Sequence, residues 1–181
     1  MKTEDTRKGN EDMASTVQIA VLSAFAVVLH AVEALIPAPL PWLRFGFANI
    51  ITLVGLSLYG FRAGMTITII RVFVGGFWRG TILGPPFILS LGGGLVSTIV
   101  MWTAMFGFRH ILSPIGVSLL GAIAHNITQL LLAQVLFIKN REVLIALTPV
   151  ILGIGTVTGS INGAAAIMIL RRLSENNRSP L

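Results

Sequence analysis

An arginine inside an apolar run constrains this chain more than any other feature. Residues 63–78 read AGMTITIIRVFVGGFW, the composition of a membrane-spanning helix, and Arg71 stands in that run with no acidic neighbour in sequence. A guanidinium in hydrocarbon is costly unless a partner, a water-filled cavity or a ligand receives it, so the residue marks a functional position by default. The alternative is a structural ion pair, for which Glu33 is the obvious partner.

The remaining residues agree with a membrane setting. The 181-residue chain is 54% hydrophobic and 11% charged, with a mean hydropathy of +0.86. Its apolar runs must therefore be buried in lipid or against one another, which predicts an all-α, polytopic membrane protein. The net charge of +6 does not point to nucleic acid, because the Lys and Arg residues fall in tails and short loops between apolar runs. The chain has no cysteine, which excludes disulfides, thiol chemistry and cysteine-ligated metals.

Residues 1–12, MKTEDTRKGNED, mix both charge signs without apolar periodicity and are expected to form a mobile, cytoplasmic tail. The run from Met13 to Ile36 is too long for a signal-peptide core and is predicted to be a retained first helix. Pro37, Pro39 and Pro41 stop it, and Trp42 beside Arg44 suits a water interface. A second span over 46–61 returns through a turn at Arg62 into the Arg71 helix, giving a helical hairpin. The third span yields to RGTILGPP, where a loop dipping into the membrane is expected. Spans over 87–106, 114–138 and 143–170 follow, the last with Gly155, Gly159 and Gly163 at a four-residue spacing that marks a helix-contact face. Residues 13–170 thus form one six-helix transmembrane domain, and 171–181 a second cytoplasmic tail.

Six spans put both termini on one side. With the termini inside, Lys2, Arg7, Lys8, Arg62, Arg109, Arg171, Arg172 and Arg178 are cytoplasmic, against Arg44, Arg79, Lys139 and Arg141 outside. The positive-inside bias selects that orientation.

The same topology allows depths to be compared. His30, Arg71 and Gln129 fall at one level in the outer half of the bilayer. His30 and Glu33 are spaced i,i+3, His125 and Gln129 i,i+4, and Asn126 and Gln129 i,i+3, so each set shares one side of its helix. Asn49 and Ser90 begin their helices at the outer side. Gly75, one turn above Arg71, removes side-chain bulk there, and Trp78 is expected to roof the guanidinium. This predicts an outward-opening pocket in which Arg71, helped by Arg44 and Arg79, receives an anionic or strongly polar ligand, since Arg suits bidentate carboxylate or phosphate recognition. The competing reading is an interhelical polar network with Arg71 paired to Glu33; polar groups from five helices beside glycine-rich walls favour the pocket. Asn162 is read as packing, and His30 and His125 taken singly as structural histidines.

The segments LRFGFANIITL, the Arg71 helix, LSLGGGLVS and GAIAHNITQ resemble the heptaprenyl diphosphate synthase component I family, also called the Gx transporter family. That family is in turn similar to the substrate-binding S components of energy-coupling-factor (ECF) transporters. The resemblance implies a bacterial cytoplasmic membrane protein with six helices, an outward-facing site and a first helix that docks on a transmembrane coupling subunit driven by cytoplasmic ATPases. S components use small residues spaced by four for that docking, and Ala20 and Ala24 have that spacing here.

The enzymatic name conflicts with the residues present. Prenyl elongation needs aspartate-rich clusters that hold magnesium on a diphosphate, whereas the only aspartates are Asp5 and Asp12, in the tail. No GxxxxGK[ST] loop is present, so an ATP-driven step would require another protein. No metal site or flavin, haem or iron–sulfur motif is expected either. The reading is a non-catalytic solute-binding membrane protein; the alternative is an accessory subunit of heptaprenyl diphosphate synthase or of isoprenoid metabolism.

Overall fold

Five helices follow one another in the computed structural model, which describes residues 2–33, 35–36, 46–108, 110–136 and 141–176. They are α1 (Lys2–Glu33), α2 (Ala48–Trp78), α3 (Pro85–Gly107), α4 (Pro114–Leu136) and α5 (Arg141–Asn176). The described residues contain no strand. Each helix contains a segment long and apolar enough to cross a membrane.

Two of the six expected spans lie inside α2, and Gly60 separates them. Its backbone sits at φ 79°, ψ −170°, a conformation essentially restricted to glycine. The chain reverses there: Thr52 Oγ1 lies 3.2 Å from Thr68 Oγ1, and Arg71 Nη2 lies 2.6 Å from Asn49 Oδ1. In a straight helix those pairs would stand about 24 and 33 Å apart. Both pairs are equidistant from Gly60, so the expected hairpin is present, with its register set by one glycine. The leading arm, residues 48–59, is only about 18 Å long. It therefore starts within the bundle, and Gly46 and Asn49 are buried at its beginning.

α1 begins at Lys2, so the backbone of the expected tail continues the first helix. One expectation is corrected. The link after α2 is a tight turn, not a re-entrant loop. Gly80, at φ 63°, lets its own N–H reach Phe77 O at 3.0 Å and the Thr81 N–H reach Gly76 O at 2.9 Å, which caps the helix end. Pro85, at the first position of α3, then starts a new helix.

The packing order follows the chain. α2 lies between α1 and α3, α4 between α3 and α5, and α5 closes back on α2, whereas α1 packs on α2 alone among the described residues. Leu53, Val54, Leu56, Met101, Ala104, Val117 and Ala166 form the main apolar core, at the Gly60 end of the bundle. The glycine ridge of α5 behaves as its spacing predicted. A Cβ on Gly159 would press on Ala122 Cβ at 2.9 Å and one on Gly163 on the Ile115 backbone at 2.5 Å, so the ridge lets α4 and α5 approach closely.

Candidate functional site

Opposite that core, the polar residues collect into one layer. Arg71 is buried, at 2% exposure, and its Nη2 donates to Asn49 Oδ1 across the two arms of α2. Glu33, at the end of α1, accepts the Gly46 N–H at 2.5 Å. On the other side of the same residue, Asn162 Nδ2 of α5 donates to Gly46 O at 3.0 Å. Gly46 adopts φ 77°, and a Cβ there would meet the Asn49 amide at 3.1 Å. Thus α1, the start of α2 and α5 are joined through the N–H and C=O of one glycine.

The wall between Arg71 and α4 is built by consecutive glycines of α3. A Cβ on Gly94 would come within 3.4 Å of Arg71 Nη2, and one on Gly93 within 2.9 Å of His125 Nδ1 and 3.0 Å of Gln129 Cγ. Removing both side chains brings guanidinium, imidazole and amide around one stretch of backbone. His125 and Gln129 are buried; the His125 ring lies against Gly93, and among the described residues neither of its nitrogens and neither amide atom of Gln129 has a hydrogen-bond partner of ordinary length. The same holds for Arg71 Nε and Asn162 Oδ1. Buried polar atoms are normally satisfied, so a cluster of atoms without partners among the described residues is unusual for a protein interior.

Beneath Arg71, three fully buried threonines form a floor. Thr98 donates to Gly94 O at 2.8 Å and stands 2.9 Å from Thr68, which reaches Thr52 at 3.2 Å. Each hydroxyl has one proton, so the chain runs from Thr52 through Thr68 and Thr98 to Gly94 O. It ties both arms of α2 to α3 one turn below the guanidinium.

Of the other expected site residues, Asn126 is buried and gives its amide to Ile151 O at 3.1 Å, a helix-to-helix bond. His30 packs on Gly75, and its Nε2 stands 2.9 Å from Arg79 Nη2; because a guanidinium only donates, the imidazole accepts. The space over Gly75 is thus filled by His30. Trp78 does not roof Arg71: it is 85% exposed, because its position on the last turn of α2 points it away from the bundle. Ser90 is buried at the start of α3, and Arg44 lies outside the described residues. Ala20 and Ala24 are exposed on the face of α1 turned away from α2. Sequence reasoning missed two features, the threonine floor and Asn162. The signals were the i,i+3 pair Asn49/Thr52, its mirror Thr68/Arg71, and a lone amide in an apolar run.

Comparison with known proteins yields one family and one fold. The sequence model of the family described as heptaprenyl diphosphate synthase component I matches residues 22–169. A solved structure of the S component of a bacterial ECF transporter superposes with a TM-score of 0.74 at 17% identity, covering 93% of this chain and 99% of that one. No curated protein matches.

Proposed function

The chain belongs to the heptaprenyl diphosphate synthase component I family, and we propose that it is a non-catalytic membrane protein of S-component type that binds a small polar or anionic solute for uptake. The observation that carries this reading is the set of buried polar atoms without partners among the described residues around Gly93 and Gly94, at Arg71, His125 and Gln129. A purely structural network would close on itself; this one closes at Asn49, Gly46 and the threonines and stays open at the guanidinium, imidazole and amide. The fold likeness to an S component supports the same reading.

In this proposal Arg71 receives the anionic group while Asn49 fixes the plane of its guanidinium. Gln129 and His125 contact the remainder of the solute. Glu33, His30 and Arg79 secure the end of α1 above it. The reversal at Gly60 supports counting α2 as two spans and the domain as six. The charge bias supports both termini being in the cytoplasm of a bacterial cell, with the polar layer toward the outside. Ala20 and Ala24, on the uncovered face of α1, are the proposed docking surface for a coupling subunit worked by ATPases.

The decisive experiment is mass spectrometry of small molecules retained by protein purified in detergent, wild type against Arg71→Leu. A polar or anionic molecule held by the wild type and lost from a normally folded variant is the expected outcome. Equal retention by both would remove the site. The family description supports a second reading, an accessory subunit of a prenyl diphosphate synthase. Under it the wild type would retain a prenyl lipid, or copurify a soluble prenyltransferase, independently of Arg71.

A further inference from the structure

Apart from Ser97 Oγ, a hydroxyl that can both donate and accept, the buried side-chain atoms of Arg71, His125, Gln129 and Asn162 that lack partners among the described residues are of two opposite kinds, and their balance restricts what can sit among them. The donors are Arg71 Nε, Gln129 Nε2 and one ring nitrogen of a neutral His125. The acceptors are Gln129 Oε1, the other ring nitrogen of His125, and Asn162 Oδ1. The direction of the Asn162 amide is fixed by its bond to Gly46 O, because a flipped amide would set oxygen against oxygen. Neither choice of tautomer for His125 nor a flip of Gln129 changes the tally, since both atoms of each are open.

A ligand that only accepts hydrogen bonds would suit half of this set. Sulfate, a halide or a plain carboxylate would meet Arg71 and the other donors and leave the acceptors buried and bare. Each bare acceptor weakens binding by roughly five- to 150-fold. A ligand that only donates fails in the opposite way, leaving a buried guanidinium without an anion.

Resting on the reading of this layer as a ligand site, we propose that the ligand is an amphoteric organic acid. It carries one anionic group for Arg71 and, away from it, N–H or O–H donors for Gln129, His125 and Asn162. His125 and Gln129 are then specificity-determining residues, and Arg71 supplies the attraction common to all acids.

Two shape-matched probes separate these contributions: pyrrole-3-carboxylate, which has a ring N–H pointing away from its carboxylate, and furan-3-carboxylate, which has a ring oxygen in its place. Titrated against the purified wild type by thermal shift, the pyrrole acid should bind about tenfold more tightly. Gln129→Met and His125→Phe should each shrink that preference, while Arg71→Leu should abolish binding of both acids. Equal affinity for the two probes, or sulfate binding as well as either, would overturn the donor requirement while leaving the anion site standing. Binding of neither acid at millimolar concentration would also overturn the ligand class; the site itself is judged separately by the small-molecule retention experiment.

Discussion

Arg71 owes its position to residues that remove bulk or hold it still. Asn49 takes one of its N–H groups, Gly94 leaves room for the guanidinium, and Thr68, one turn below, is fastened to Thr52 and Thr98. Glu33 accepts the Gly46 N–H, while Asn49 accepts from the Arg71 guanidinium. Asn49→Ala should therefore weaken solute retention by about tenfold without unfolding the protein, because a buried donor loses its acceptor; retention assays alongside a melting curve would read both. Gly94→Leu should abolish retention, since its side chain would occupy the place of the Arg71 head group. Legibility at this scale was uneven. Arg71, His125 and Gln129 stood out as charge or amide in apolar surroundings, whereas Asn162 and the threonines did not, because a hydroxyl or single amide in a membrane helix more often bonds its own helix or a neighbour.

The helical hairpin in α2 is the element on which the site depends. Gly60 sets the register 49/71 and 52/68, so a changed turn would slide Asn49 away from Arg71. Gly60→Ala should lower the melting temperature and impair retention together, because an alanine is strained at φ 79°. Thr68→Val, which removes the central hydroxyl but keeps the shape, should destabilise by about 1–2 kcal/mol in thermal unfolding. A hairpin was expected from the apolar runs and the position of Arg62, but its register could not be read, since both arms are apolar around most of their circumference. The turn at Gly80 was misjudged for a related reason: glycines and prolines announce a break without saying whether the chain reverses at once or wanders into the membrane.

At the scale of the molecule, α1 is the outlier. It packs on α2 alone among the described residues, and a face bearing Val17, Ala20, Val21, Ala24, Phe25 and Val28 is uncovered. Its end is nonetheless tied to the polar layer through Glu33 and through His30 with Arg79. If that face meets a coupling subunit, Ala20→Leu with Ala24→Leu should block assembly while leaving solute retention unchanged, because the substitutions face away from the layer. Copurification with coexpressed transporter subunits, scored beside retention, checks both halves.

Sequence alone determined the membrane setting and the helical class, and it singled out the charge and amides inside apolar runs, because each follows from the incompatibility of single residues with hydrocarbon. Only the tertiary structure decided which of those groups bond to protein and which stay open. That outcome depends on where Gly46, Gly60, Gly93 and Gly94 allow backbones to meet, and a glycine in a sequence does not reveal which neighbour will come to fill its space.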